Sequence, residues 1–193
     1  MAETRKAKYF SGLGDEGETG LLGDGRYKKS DLRFEVLGTI DELSSIIGMV
    51  KADLTDSPII EDLSNIQRGL YRIMTELAYL DQQKIKTPSI STENISQLEN
   101  RIDEVGNSVP IPTGFILPGD SSKAAQVDLA RSVTRRMERR VCEFDRETGV
   151  DSKNILKYMN RLSTYFYILE LKILQDQGIT SPTLAKNNPA QNL

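Results

Sequence analysis

A chain of 193 residues is long enough for one domain with a full core and short for two, and its balance of 38% hydrophobic to 27% charged residues is that of a soluble globular protein. Without histidine, and with Cys142 as its one cysteine, the chain excludes Ser-His and Cys-His nucleophilic catalysis, the common zinc sites and an internal disulfide. A net charge of −3 speaks against a dedicated nucleic-acid binder, and no apolar run approaches the roughly 18 residues that would cross a bilayer. The opening MAETRKAKYF has no apolar core and no small-residue cleavage site, so the cytoplasm is the expected compartment. Cys142 is expected as a small buried or half-buried apolar residue.

In chain order, the first feature is GLGDEGETGLLGDG, residues 12–25, which holds six of the fourteen glycines. GLGDEG spells the dinucleotide fingerprint, but no buried strand precedes it and no helix opens at its last glycine. Gly20 to Gly25 has the glycine spacing of a Walker A loop, yet Arg26 and Tyr27 stand where lysine and a hydroxyl residue are required. Two readings survive. One is a polar terminus without structure; the other is a phosphate cradle, in which glycines let backbone N–H groups approach an anion and Lys28 and Lys29 lie just beyond.

From Arg33 onward the period is helical. Phe34, Val36, Leu37, Ile40, Leu43, Ile47 and Val50 form one apolar stripe, and Leu63, Ile66, Leu70, Ile73, Leu77 and Leu80 form a second. Ile95, Leu98, Ile102 and Val105 make a third, Ala130, Val133, Met137, Val141 and Phe144 a fourth, and Ile155, Met159, Leu162, Phe166, Leu169 and Ile173 a fifth. Asp56, Ser57 and Pro58 mark the start of the second helix, Ser91 and Glu93 that of the third, Asp120 or Ser121 that of the fourth, and Asp151 or Ser152 that of the fifth. Gly149 ends the fourth. No segment alternates with period two for long enough to be read as a strand. The pattern predicts an all-α single domain: an antiparallel five-helix bundle with a four-helix core and ferritin-like up-down packing over residues 31–178. A flexible glycine-rich loop over 1–30 precedes it, and a tail over 179–193 follows, mobile unless a ligand or partner orders it.

Three helical segments carry candidate chemistry. ARSVTRRMERR, residues 130–140, places Arg131, Arg135 and Glu138 on one face, rotated away from the apolar stripe. Planar guanidinium forks suit phosphate oxygens, and the plainer alternative is a solvated, salt-bridged face. KYMNRLSTYFY, residues 157–167, sets Asn160 and Arg161 into an apolar helix, where each needs a partner, structural or ligand. GTIDELSS, residues 38–45, holds Asp41 and Glu42, which taken alone are surface carboxylates.

Taken together and in order, GDEGET (14–19), KSDLRFEVLGTIDEL (29–43), FILPG (115–119), ARSVTRRMER (130–139) and YMNRLS (158–163) resemble the PduO-type ATP:cob(I)alamin adenosyltransferases, over about residues 9–175. The resemblance implies a five-helix bundle assembled as a homotrimer with active sites between subunits. It implies transfer of the 5′-deoxyadenosyl group of MgATP to cob(I)alamin, giving adenosylcobalamin and triphosphate, with possible hand-over of the product to a cobalamin-dependent enzyme. Ser11, Gly12, Leu13, Gly14, Asp15, Thr19, Gly20 and Lys29 would fold over the ATP phosphates. Arg135, Arg136, Glu138 and Arg139 would continue that site, Asn160 would meet the nucleotide, and Glu138 would serve Mg²⁺ directly or through water. Arg131 would form a catalytic ion pair with Asp41 of a neighbouring subunit, Arg135 and Glu138 would act beside it, and Phe115 would face the lower side of the corrin.

Three positions depart from that pattern. Ser11-Gly12 stands where the family usually has T-K or T-R, so a hydroxyl is kept and a phosphate-binding cation is missing. Thr164 replaces an acid, and Tyr167 stands where phenylalanine is common. The missing cation is the feature that favours a second reading, a non-catalytic corrinoid or nucleotide carrier on the same bundle. A third, an arginine-faced module for nucleic acid, is disfavoured by the net charge and by the lack of aromatic residues among the arginines.

Overall fold

Each apolar stripe forms a helix in the computed structural model, which describes residues 9–21, 25–79 and 89–186. Leu22 to Asp24, Leu80 of the second stripe, and residues 187–193 of the expected tail lie outside the described residues. The elements are β1 (Glu18–Gly20), β2 (Arg26–Lys28), α1 (Leu32–Ala52), α2 (Ser57–Ala78), α3 (Thr92–Gly106), α4 (Ser122–Thr148) and α5 (Lys153–Asp176).

Side-chain caps fix where the helices start. Asp56 accepts the Ile59 N–H at 3.4 Å ahead of α2, and Asp31 accepts the Arg33 N–H at 2.9 Å ahead of α1. At α3 the cap is reciprocal: Ser91 Oγ accepts the Asn94 N–H at 3.3 Å, and Asn94 Oδ1 accepts the Ser91 N–H at 3.1 Å. Of the two candidates ahead of α4, Ser121 is the cap, while Asp120 turns away to accept from Thr183. Gly149 closes α4 with φ 71°, a left-handed conformation suited to glycine. Replacing Ser91 by alanine removes one half of a reciprocal cap, so the urea midpoint should fall by the equivalent of about 1 kcal/mol with an unchanged m value.

α4 lies at the centre, against α1 on one side and α5 on the other; α2 packs on α1 and α3 on α5. One apolar cluster reaches all of them, including Leu43, Leu70, Leu98, Met137 and Phe166. α5 is buried on most of its circumference because it is covered from two directions.

Three sequence expectations change. The glycine-rich segment, read as free of strands, contains an antiparallel hairpin in which Glu18 faces Lys28, Thr19 faces Tyr27 and Gly20 faces Arg26. Strands of three residues are too short for alternation to register. Residues 179–186 are not a free tail. Leu184 bridges Ile116, Leu117 N–H donates to the Thr183 carbonyl at 2.8 Å, and Ala185 N–H donates to the Phe115 carbonyl at 2.8 Å. Leu184 also packs on a small cluster of Val105, Val109, Ile116, Ile168 and Leu171, and this apolar contact explains the docking. Cys142 is exposed, because its neighbours Val141 and Phe144 take the core-facing positions of α4.

Candidate active site

Arg131, Arg135 and Glu138 follow one another at steps of four and three on α4, so they stand about 6 Å and 10 Å apart along its axis from the first. They share a face but not an environment.

At the first of these levels, Arg131 is gripped by Asp128 one turn earlier, with Nε at 2.8 Å and Nη2 at 2.7 Å from Oδ1. Phe115, Asp128, Arg131, Tyr167 and Glu170 line a cavity of about 210 Å³. Phe115 is 71% exposed although its segment is tied to residues 183–185 by backbone hydrogen bonds. Glu170 is only 3% exposed and makes no hydrogen bond among the described residues. Burial, then the neighbouring Asp128, pushes its carboxyl up to about 7, Arg131 opposes the shift and Asp120 adds to it. Burial likewise raises the Tyr167 phenol, helped by Glu170. Asp128 and Glu170 are the residues the sequence reading missed. For Glu170 the signal was present: a lone carboxylate inside the apolar run Tyr165 to Leu174.

Further along α4 the arginine face divides in two. Arg136 pairs with Glu42 of α1, and Arg140 with Glu35 at 3.5 Å and Glu143 at 3.0 Å, so these two tie α4 to α1. Arg135 and Arg139, one turn apart and both exposed, have no ion pair or hydrogen bond among the described residues. Glu138 Oε1 accepts from Asn160 Nδ2 at 3.5 Å, joining α4 to α5. Asn160 Oδ1 accepts from Arg161 at 2.8 Å, and Arg161 is anchored on Glu99 of α3, also at 2.8 Å. Thr164 turns its hydroxyl onto the Asn160 carbonyl at 3.4 Å.

The glycine-rich loop is a chain of tight turns. Ser11 Oγ accepts the Leu13 N–H at 3.3 Å, Asp15 N–H reaches the Gly12 carbonyl at 3.2 Å, and Gly17 N–H reaches the Gly14 carbonyl at 3.3 Å. The Lys29 ammonium sits on the Gly14 carbonyl at 2.7 Å, Arg26 reaches the Leu13 carbonyl, and Thr19 points at the Gly20 carbonyl at 3.4 Å. Gly12 has φ 69°, so a lysine or arginine there would be strained; the absence of a cation at this position goes with the turn. Among the described residues no hydrogen bond or ion pair joins Ser11–Gly20 to α4, and Asp41, exposed on α1, has no ion pair. The sequence-derived residues therefore form two halves, a loop and a helix face.

No group of three His, Cys, Asp or Glu among the described residues is arranged to hold a metal. The lone carboxylate at Glu138 suits a magnesium ion carried mainly by phosphate oxygens rather than a protein cage. Among the described residues no helix is long and apolar enough to cross a membrane.

The family profile described as cobalamin adenosyltransferase matches residues 9–173. A corrinoid adenosyltransferase of Bacillus subtilis (strain 168) is 41% identical over 176 residues, 89% of this chain and 89% of that one. The corrinoid adenosyltransferase PduO of Citrobacter freundii is 35% identical over 161 residues, 83% of this chain and 48% of that protein. A variant of the PduO-type ATP:corrinoid adenosyltransferase from Lactobacillus reuteri, solved with cobalamin and ATP, superposes with a TM-score of 0.84 at 28% identity, covering 93% of this chain and 100% of the other. With the profile spanning most of the sequence and a relative at 41% identity, the chain belongs to the cobalamin adenosyltransferase family.

Proposed function

We propose that this adenosyltransferase moves the 5′-deoxyadenosyl group of ATP onto the cobalt of cob(I)alamin, at a site that a neighbouring subunit of a homotrimer completes. The spacing along α4 carries this reading. Arg131 lines the cavity under Phe115, and the unpaired Arg135 and Arg139 stand about 6 Å and 12 Å further along, so one helix offers a corrin-facing and a phosphate-facing half.

The cobalt electron pair attacks C5′, the cobalt–carbon bond forms, and the C5′–oxygen bond breaks with its electrons leaving on triphosphate. Cob(I)alamin is itself a strong nucleophile, so a chain without histidine lacks nothing the step requires. The protein's task is alignment and stabilisation of the leaving charge. Arg135 and Arg139 meet the phosphates from the helix, and the amides of Ser11 to Asp15 with Thr19, Gly20 and Lys29 meet them from the loop. Lys29 reaches them by leaving the Gly14 carbonyl, and Arg136 by leaving Glu42. Asn160, oriented by Arg161, holds the nucleotide. Magnesium, held by phosphate oxygens and Glu138, would neutralise charge on the leaving group. Phe115 and Tyr167 cover the lower corrin face. Arg131 reaches Asp41 across the subunit boundary; that Asp41 has no ion pair among the described residues, and that no hydrogen bond or ion pair joins loop and helix among them, support a shared site. A cytoplasmic enzyme that passes its product to a cobalamin-dependent enzyme completes the reading.

The test is to mix the protein with MgATP and chemically reduced cobalamin and follow cobalt–carbon bond formation by absorbance. Adenosylcobalamin and triphosphate should appear in equal amounts. Retained corrinoid without turnover would replace this reading with that of a carrier.

A further inference from the structure

On the other side of α5 from Asn160 lies a second cavity, of about 280 Å³, walled by α2, α3 and α5. Tyr158, two residues before Asn160 and so about 200° round the helix, lines it. Its only carboxylate among the described residues, Asp62, is already engaged: it accepts from Arg101 at 2.7 Å and from the Tyr165 hydroxyl at 3.0 Å. Arg101 also pairs with Glu104. The other cations are not matched by acids. Arg68 donates to the neutral Asn65 Oδ1 at 2.6 Å, and Arg72, one turn on, has no ion pair or hydrogen bond among the described residues.

Tyr158 supplies a second, independent observation. It is 6% exposed, lines the cavity, and its hydroxyl makes no hydrogen bond among the described residues. Burial pushes its phenol up to about 12 against the pull of Arg72, so at neutral pH it is an O–H donor beside a guanidinium. An anion in the cavity would accept from that hydroxyl.

The adjoining groove shares Arg68 and Arg72 and adds Lys51, whose ammonium is held by the neutral Gln67 Oε1 at 2.7 Å and Ser64 Oγ at 3.3 Å. Among the described residues no carboxylate lines that groove. Three cations thus collect without acids on a chain whose net charge is −3. Guanidinium forks one turn apart, an ammonium and a phenol form a donor set without a free acceptor charge, and such a set selects oxyanions, phosphates above all.

We propose that the α2–α3–α5 cavity binds a small phosphate or polyphosphate anion through Arg68, Arg72 and Tyr158. The site does not depend on the adenosyl-transfer reading, since it shares no residue with it. The anion has two sources of one chemistry, free inorganic phosphate and the triphosphate that the reaction releases.

The experiment is calorimetric titration of the full chain with inorganic phosphate and, separately, with tripolyphosphate. The variants are Arg135→Ala, which weakens the phosphate contacts on α4, and the same chain with Arg68→Gln and Arg72→Gln added. Arg135→Ala should retain one binding event, and the two further changes should weaken it at least about tenfold, the loss expected for charge-assisted bonds. Tyr158→Phe alone should weaken it to a smaller degree. Binding of tripolyphosphate with inorganic phosphate inert assigns the pocket to the reaction product, and the reverse assigns it to free phosphate. Equal affinity with and without Arg68 and Arg72, or no binding event for either anion in the wild-type chain beyond one that Arg135→Ala removes, overturns the proposal. Both arginines are exposed, so the variant should melt as the parent does without ligand; should it unfold instead, Tyr158→Phe decides, and unchanged affinity there also overturns the proposal.

Discussion

Arg131→Ala is expected to lower turnover by about 10² to 10³, the loss typical of removing one preorganised charged donor from a reaction centre. The side chain lines the Phe115 cavity and is fixed in direction by Asp128, so truncation removes both a charge and its aim. It also leaves Asp128 without its partner, at a stability cost of about 1 to 3 kcal/mol that a melting curve reads separately. Arg131→Lys keeps the charge but loses the fork and should recover only a minor part of the rate. A folded Arg131→Ala enzyme with wild-type kcat would remove this residue from the catalytic machinery. Asp41→Ala should act in the same direction, since the proposed pair spans two subunits and neither half replaces the other.

The second large effect is on stability and depends on pH. Glu170 is buried, and its carboxyl is raised from the ordinary 4.5 to about 7, by burial first and then by Asp128, with Asp120 adding and Arg131 opposing. For a group raised in the folded state the protonated form is favoured by folding. Its full contribution is present below pH 4.5 and is lost as pH rises through 7. Glu170→Gln keeps the shape and abolishes the ionisation. At pH 8 the variant should therefore be more stable than the parent by on the order of 2 to 3 kcal/mol, or about 5 to 10 °C in Tm. Near pH 4 the two should melt together. A constant offset at every pH would show that the Glu170 carboxyl titrates alike in the folded and unfolded chain. Asp128, Arg131 and Tyr167 line the same cavity, and burial raises the Tyr167 phenol further from this window.

What could be read from the sequence follows a physical division. The five stripes were legible because each helix buries one face against its neighbours, and Asp56, Ser91 and Gly149 were legible because caps act within a few residues. The hairpin was not, since its strands are three residues long and the ties of Arg26 and Lys29 to the Leu13, Gly14 and Glu18 carbonyls leave no periodic mark. On α4 the spacing of the arginines set them on a polar surface but did not say which would be spent on structure. That depended on where Glu35 and Glu42 of α1 came to rest, which within one chain engages Arg136 and Arg140 and leaves Arg135 and Arg139 without an ion pair among the described residues. Glu170 became significant only through burial, a property of the assembled helices and not of its neighbours in sequence.

The tie between the Phe115 segment and residues 183–185 has a consequence for synthesis. Asp120 and its partner Thr183 are 63 positions apart, and α4 and α5 lie wholly between them. While the chain is being made, the Phe115 segment emerges before either helix and remains unlatched until both have followed. The bundle's own stripes can already be packing during that interval, because they need no help from the later strand. The Phe115 wall of the cavity is therefore finished late, and a partly made chain carries its exposed aromatic unlatched while the helices are already packing.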